Sequence, residues 1–324
     1  MTSPPLLIVG HGTRSTAGVA EFDQLVARVG RHLAGDGIDV GGGFIELAPP
    51  PLTEAVGDMV HAGHRHVVAL PLMLAAAGHG KGDIPGAMAR ERVRYPGLSY
   101  AYGRPLGPHP ALRSIIEQRI DTTLAEPDST ATGRTDTTVL LVGRGSSDPD
   151  ANAEIAKVAR LLWEGRGYTG VETAYVSLAE PSVPAGLERA RLLGARRVVV
   201  APYFLFAGVL PDRVVDQSAA YAAEHAEMDI RVAGLLGDCE ELAGLVVERY
   251  HEALAGDIRM NCDTCLYRIA MPGVADRVGA PQTPHHHPDD PTHDHGHDHG
   301  HDHGHNHGHD HANGHPHDHQ PTHP

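Results

Sequence analysis

Two histidines in the first half of the chain stand in glycine turns that follow short apolar runs. His11 lies between two glycines directly after residues 6–9, and His79 lies between two glycines shortly after residues 67–74. Glycine permits a tight turn and a close approach of neighbouring groups, so both imidazoles are expected to project from such turns. With the carboxylate of Glu46, two neutral imidazoles suit a divalent ion such as cobalt, nickel, zinc or iron. His11 and His79 are the candidate metal ligands, and together with Glu46, which could assist as a third ligand, they are the candidate catalytic groups.

A single histidine between glycines also has a plainer interpretation, in which the imidazole only caps the helix that follows. An internal repeat bears on this choice. Four segments of the first half return in the same order in the second half, displaced by 130 to 133 residues. They are LIVGHG at 7–12 and LLVGRG at 140–145, FIELA at 44–48 and YVSLA at 175–179, HVVALP at 66–71 and RVVVAP at 197–202, and GPHPAL at 107–112 and GDCEEL at 237–242.

The repeat keeps the turns but not the side chains that would bind a metal. Arg144 stands at the position of His11, and Ser177 stands at the position of Glu46. Val209, or a residue near it, stands at the position of His79. A purely structural histidine would be expected in both copies, so the asymmetry favours a functional role for the histidine pair.

The alternation of apolar runs and helical stretches predicts an α/β fold. Uninterrupted apolar runs are typical of parallel strands buried on both faces, and crossover helices between them form right-handed βαβ units. Each half is therefore predicted to be an open, doubly wound parallel sheet. In the first half we expect strands at 6–9, 43–47 and 67–74, a helix at 19–33 and another after Pro51.

Such a sheet binds ligands beyond the carboxyl ends of its strands, which is where the three candidate ligands would meet. His11 and His79 follow the first and third predicted strands of the first half. Glu46 lies at the end of the middle strand, 43–47, and is expected to point toward the same rim.

The chain is predicted to have five parts. They are a catalytic half at 1–124, a linker at 125–138, a second half at 139–257, a cysteine segment at 258–284 and a tail at 285–324. The tail contains 17 of the 26 histidines in Asp-His-Gly repeats, which bury no apolar area, so it is expected to be disordered without metal. We expect it to bind and deliver or store metal ions; a solubilising role and an expression tag are the alternatives.

Three motifs around the candidate ligands resemble the sirohydrochlorin chelatases of the CbiX and SirB type, and the resemblance covers residues 5–256. The motifs are VGHGTR around His11, FIE ending at Glu46 and PLMLAAAGHGKGD around His79. The resemblance implies two similar α/β halves around a cleft, and insertion of cobalt or iron into sirohydrochlorin for cobalamin or sirohaem biosynthesis. Cobalt is the narrow preference. The two histidines match the family's metal-binding and proton-accepting histidines, and Glu46 matches its acidic partner.

These residue types suit metal insertion on chemical grounds as well. An ion that enters a tetrapyrrole displaces two pyrrole protons, so the site needs a base with a pKa near neutrality beside the ion. A neutral imidazole can hold the ion first and accept a proton afterwards. The substrate carboxylates need cationic partners, and Arg14 and Lys81, close in sequence to the two histidines, are the candidates. Further candidate cations are Arg90, Arg92, Arg94 and Arg104.

Cys262 and Cys265 form a Cys-x-x-Cys motif, which suits an iron–sulfur cluster, thiol redox exchange or half a zinc site. It resembles a segment that some long family members place before a His-rich region, where it is associated with a [4Fe-4S] cluster. Two further ligands would come from Cys239, a histidine or a second subunit. We therefore expect either a [4Fe-4S] cluster or a plain thiol pair, and a homodimer is among the expected assemblies.

Composition excludes several other classes of function. The net charge is −15 and no basic face is clustered, so no nucleic-acid partner is expected. The N-terminus has neither a basic stretch nor a long apolar run, so neither a signal peptide nor a membrane span is expected there. We therefore expect a cytoplasmic protein with no membrane partner. Two alternative functions stay open on the sequence alone: a metallochaperone or metal-storage protein that uses the tail, and a phosphate-transferring hydrolase with His11 as nucleophile. The second lacks the arginine that would precede such a histidine.

Overall fold

The structure is a computed structural model that describes residues 3–125, 133–256 and 275–278. The described residues form one compact unit. The Cys-x-x-Cys motif and the tail at 285–324 lie outside the described residues, so what was expected of them stays a prediction. Within the described ranges, no helix has both the length and the apolar character that a membrane span requires.

The described residues of each half alternate strands with helices. The first half contains β1 (Leu6–Gly10), α1 (Thr16–Leu33), β2 (Val40–Phe44), α2 (Leu52–His61), β3 (His66–Pro71), α3 (Ile84–Arg94), β4 (Ser99–Tyr102) and α4 (Pro110–Leu124). The second half contains β5 (Thr138–Gly143), α5 (Pro149–Trp163), β6 (Gly170–Tyr175), α6 (Val183–Leu192), β7 (Arg197–Pro202), α7 (Val209–Glu224), β8 (Asp229–Val232) and α8 (Glu240–Ala255).

Both sheets are fully parallel and have the same topology, which confirms the predicted fold class and the repeated halves. The strand order is β2-β1-β3-β4 in the first sheet and β6-β5-β7-β8 in the second. The chain thus moves from β1 outward to β2 and then crosses back to β3 on the other side of β1. Neighbouring strands whose connections diverge in this way leave a crevice at their carboxyl ends.

Residues along each central strand alternate between two apolar layers. In β1, Leu6 and Ile8 face a large core that also contains residues of α1, α4, α5 and α8, whereas Leu7 and Val9 pack with α2 and α3. The large core contains side chains from both sheets, and a third core lies between the second sheet and α6 and α7. Helices therefore cover both faces of each sheet, as a doubly wound fold requires.

The two halves exchange their last helices. Helix α8 packs against β3 and β4 of the first sheet, and α4 packs against β7 of the second sheet. A reciprocal pair of hydrogen bonds joins the halves near the strand ends: Glu21 of α1 accepts from the backbone N–H of Ala207 at 2.8 Å, and Glu154 of α5 accepts from that of Ala76 at 2.9 Å. Separating the halves would expose apolar surface on both sheets. The residue ranges predicted for the five parts of the chain stay predictions.

Two predicted strand boundaries were wrong. The strand expected at 43–47 is β2, which begins at Val40 and ends at Phe44, and it lies at the edge of its sheet. A run of glycines in sequence suggests a loop, but here the glycines let α1 and α2 pack closely against the strand. A Cβ on Gly42 would lie 2.7 Å from the Phe22 ring, and one on Gly43 would lie 2.9 Å from Ala55. The strand expected at 67–74 ends at Pro71, where the Met73 N–H bonds back to the Pro71 carbonyl.

The N-terminus of α4 gives a pH-dependent contribution to stability. His109 is its capping residue, and its Nδ1 accepts a hydrogen bond from the Ala111 N–H at 3.1 Å, which requires a neutral imidazole. Burial lowers the pKa of His109, and this effect together with the charges of Arg249 and Arg104 outweighs the attraction of Glu248. As the pH falls below about 6.5, the unfolded chain binds the proton first, so this part of the stability is lost.

We predict that His109→Asn reduces the loss of stability on acidification, because asparagine caps a helix without titrating. The measurement is the free energy of unfolding in urea at pH 7.5 and at pH 5.5 for both proteins. The difference between the two pH values should be smaller in the variant. Equal differences would contradict the assignment of this pH dependence to His109.

Candidate metal centre

The crevice between β1 and β3 contains the three candidate ligands. His11 directly follows β1, and His79 begins a single π-helical turn, His79–Asp83, that leads into α3. The sequence suggested that Glu46 lies at the end of a strand, but it lies two residues beyond the end of β2. Three separate connections thus deliver one side chain each to the same edge of the first sheet.

The three side chains meet closely enough to share one ion. One ligand atom from each of His11, Glu46 and His79 lies within 4.8 Å of the other two. Nε2 of His11 is 3.3 Å from Oε1 of Glu46, and the two imidazole rings are 4.6 Å apart and nearly perpendicular. His79 is buried, whereas the side chains of His11 and Glu46 are about a quarter to a third exposed. The site therefore has a closed wall at His79 and an open side toward solvent.

A backbone contact between two loops places His11 beside Glu46. The Glu46 N–H donates to the His11 carbonyl at 3.1 Å, and the Ile45 N–H donates to the Gly10 carbonyl at 3.0 Å. Gly12 has a φ of 103°, and a Cβ there would lie 1.7 Å from the Glu46 carbonyl oxygen. Only glycine fits this position, because any other residue would clash with backbone and strain its own.

Asp83 orients the imidazole of His79; it is the last residue of the PLMLAAAGHGKGD motif, but the sequence assigned it no role. Its Oδ2 lies 2.6 Å from Nδ1 of His79. A carboxylate can only accept, so Nδ1 carries the proton and Nε2 of the neutral ring keeps its lone pair for an ion. The spacing of four residues was the available signal, because residues four apart in a helical turn lie on one face.

The second half holds the loop that carries His79. Besides the hydrogen bond from Ala76 to Glu154, the Lys81 ammonium donates to Asp148 at 2.7 Å and to Asp150 at 3.1 Å. The side chains of Lys81 and the two aspartates are almost fully buried. Burial alone would lower the pKa of Lys81, but the two aspartates outweigh it and raise the pKa. The ammonium is thus engaged by two carboxylates of the second half, and the role expected for Lys81 in substrate binding stays a prediction.

The other candidate cations differ in their surroundings. Arg104 makes a bidentate ion pair with Glu252 at 2.8 and 2.7 Å, so its guanidinium is already engaged. Arg14 lies exposed in the turn between His11 and α1, and its role in substrate binding stays a prediction. The remaining three, Arg90, Arg92 and Arg94, lie exposed on α3.

The second half repeats the backbone of the site with other side chains. The Ser177 N–H donates to the Arg144 carbonyl at 3.0 Å, and a Cβ on Gly145 would lie 1.8 Å from the Ser177 carbonyl oxygen. Val209, the first residue of α7, is 54% exposed. In the part of the chain that the structure describes, the first-half trio is the one group of three His, Cys, Asp or Glu side chains placed to share an ion.

Comparison with protein families agrees with this repeated architecture. A model of the CbiX family matches residues 5–123 and 138–253, which are the two halves described above. The chain belongs to the CbiX family. Two relatives of this CbiX chain come from Priestia megaterium. A sirohydrochlorin cobaltochelatase is 38% identical over 266 residues, which are 82% of this chain and 85% of the relative. A sirohydrochlorin ferrochelatase is 32% identical over 213 residues, which are 65% and 77% of the two chains.

A solved structure shows the same fold. SirB from Bacillus subtilis with Fe³⁺ superposes with a TM-score of 0.67 and 24% sequence identity. The match covers 79% of this chain and 97% of SirB. The two α/β halves of this CbiX family member therefore have the same fold as SirB.

We predict that Asp83→Asn lowers the affinity for Co²⁺ about 10- to 100-fold, because the amide no longer fixes the proton on Nδ1 of His79. The matched control is Asp39→Asn, which alters an exposed carboxylate that contacts His64 at 2.9 Å near the start of β2. Cobalt titration of a chain that ends at residue 284 measures both affinities without the tail. Equal loss of affinity in the two variants would contradict an orienting role for Asp83.

We also predict that Lys81→Met lowers the free energy of unfolding by about 3–5 kcal/mol, because it leaves two buried aspartates without their counter-ion. The control is Lys157→Met, which removes an exposed lysine of α5 and should change stability by less than about 0.5 kcal/mol. Urea denaturation at pH 7.5 measures both. A near-neutral effect of Lys81→Met would show that the buried ion cluster does not fasten the His79 loop.

Proposed function

We propose that this chain inserts a divalent metal ion, cobalt or iron, into sirohydrochlorin. The observation that carries the proposal is the convergence of His11, Glu46 and His79 in the crevice of the first sheet, in a chain that belongs to the CbiX family. Relatives named as sirohydrochlorin chelatases, with either metal, span most of this chain and support the substrate class.

The geometry supports a division of the chemistry among the three side chains. Two imidazoles and one carboxylate hold an incoming ion and leave its remaining positions open on the exposed side of the site, where a macrocycle can approach. When the ion passes to the ring nitrogens, the vacated imidazoles become free to accept the two displaced pyrrole protons. His79, with its Nδ1 proton bonded to Asp83, has Nε2 as its basic atom, and the resulting imidazolium is stabilised by that carboxylate.

We propose cobalt as the physiological metal. The relative named as a cobaltochelatase has higher identity over a longer alignment than the ferrochelatase. The His-rich tail at 285–324 also suits a borderline ion such as cobalt or nickel. Iron stays the alternative, because the same three ligands can hold it.

Several finer predictions concern residues outside the described ranges or properties of the assembly. We propose that Cys262 and Cys265 form either part of a [4Fe-4S] site or a thiol pair, and that the tail binds metal ions. A homodimer and a cytoplasmic location also stay predictions. The comparisons do not support the alternative of a metallochaperone or metal-storage protein. The metal trio, which is His11, Glu46 and His79, lies in the α/β body rather than in the tail.

The function is tested by incubating the purified protein with sirohydrochlorin and Co²⁺ or Fe²⁺ while following the absorbance of the macrocycle. His11→Ala and His79→Ala should each lower the rate at least about 100-fold, because each removes a ligand and a base. The control is His61→Ala, an exposed histidine at the end of α2, which should keep the wild-type rate. Wild-type rates in both site variants would overturn the proposal.

Deletion of residues 285–324 should slow insertion only when free metal is scarce. A tethered tail presents its imidazoles near the body at an effective concentration of about millimolar, an advantage that disappears once bulk metal saturates the site. Initial rates of the full and shortened chains are compared at pH 7.5 over a range of buffered free cobalt. Identical curves at limiting metal would exclude delivery by the tail.

A further inference from the structure

Arg144 occupies, in the second half, the place that His11 occupies in the first. Each residue stands between two glycines directly after the first strand of its half. In both halves the carbonyl of this residue accepts a hydrogen bond from the residue in the next loop, Glu46 in the first half and Ser177 in the second. The glycine that follows leaves no room for a side chain in either half, because a Cβ on it would lie 1.7 Å from the Glu46 carbonyl oxygen or 1.8 Å from that of Ser177. Arg144 is therefore held by the same backbone frame as a metal ligand, but carries a fixed positive charge.

Arg144 is partly buried, and its guanidinium lies near enough to Glu46 for the two charges to interact. Burial lowers the pKa of Arg144, and the charge that opposes this effect is that of Glu46, a member of the metal trio in the other half. Among the described residues, no hydrogen bond or ion pair joins to this guanidinium. A cation in such a place carries a desolvation cost that nothing in the described fold offsets with a direct partner.

Two of the other cations considered for the substrate are already paired with carboxylates. Lys81 is buried against Asp148 and Asp150, and Arg104 is bound to Glu252. Arg144 thus combines three properties: its charge interacts with Glu46 of the metal trio, it is partly removed from water, and no described residue hydrogen-bonds to its five N–H donors. A planar guanidinium with free donors matches a carboxylate in a bidentate geometry.

We propose, on the basis of the function proposed above, that Arg144 binds a side-chain carboxylate of the tetrapyrrole and so anchors the macrocycle opposite the metal trio. The second half then contributes an anion site where the first half has a metal site. An arginine in place of a second histidine also places a positive charge where a second ion would otherwise bind. One ion and one macrocycle orientation are thereby selected in a fold whose two halves have the same backbone.

The test is equilibrium binding of metal-free sirohydrochlorin, followed by fluorescence, to wild type, Arg144→Met and Arg144→Lys. Arg144→Met should raise the Kd about 10- to 100-fold, the usual range for losing hydrogen bonds to a charged group. Arg144→Lys, which keeps the charge but not the planar fork, should raise it less. For sirohydrochlorin with its carboxylates converted to methyl esters, in matched solvent, wild type and Arg144→Met should bind equally. Arg31→Met, which removes an exposed arginine from the far end of α1, is the control and should bind like wild type.

Cobalt affinity of the same proteins, measured without tetrapyrrole, separates this role from an effect on Glu46. We expect less than about a threefold change in Arg144→Met. The proposal is overturned if both Arg144 variants bind sirohydrochlorin like wild type. It is also overturned if Arg144→Met weakens the binding of the methyl ester as much as that of the free acid. It is also overturned if Arg144→Met changes the affinity for cobalt but not the affinity for sirohydrochlorin, because Arg144 would then only balance the charge of Glu46. Circular dichroism verifies folding, and Arg144→Lys decides the question if the methionine variant does not fold. Failure of the wild type to insert metal would instead refute the proposed function, since the binding measurement requires no turnover.

Discussion

The candidate metal centre depends on one backbone contact, between the turn after β1 and the loop after β2. Gly12 approaches the Glu46 carbonyl more closely than any Cβ permits, and the Glu46 N–H closes the contact by donating to the His11 carbonyl at 3.1 Å. Side chains on two different connections are thereby fixed within ligand distance of each other. His79 joins them because β3 lies beside β1, where the direction of the connections reverses and a crevice opens.

The repeat shows how one backbone frame can serve two tasks. The second half keeps the glycine contact and the strand order, yet it has no metal trio among its described residues. What it contributes instead is support: α5 fastens the His79 loop through Glu154 and the aspartates that bind Lys81. The exchange of α4 and α8 between the sheets makes this support obligatory, because neither sheet is fully covered without the other half. The first half alone would have all three ligands but would lack the contacts that fasten the His79 loop.

Much of the fold, and the choice of candidate ligands, could be predicted from the sequence, because the sequence patterns that indicate them are local or repeated. Buried parallel strands appear as apolar runs, and a histidine present in one copy of a repeat but not the other indicates function. The glycine-rich β2 was misplaced, because residues that permit close packing of helices look like a loop until the helices are in place. The partner of Lys81 could not be predicted, since Asp148 lies 67 residues away in sequence and in the other half. The contact between Asp83 and His79 could have been predicted if His79 had been assigned to a helical turn.

The central claim is that one ion is held by His11, Glu46 and His79. Its most direct test is an anomalous-scattering map from crystals of the protein soaked with Co²⁺ at saturation. We expect a fully occupied cobalt peak about 2.0–2.2 Å from an imidazole nitrogen of each histidine and an oxygen of Glu46, with no peak between Arg144 and Ser177. A peak at the second-half turn, or ordered cobalt elsewhere on residues 3–256 while the three side chains hold none, would contradict it.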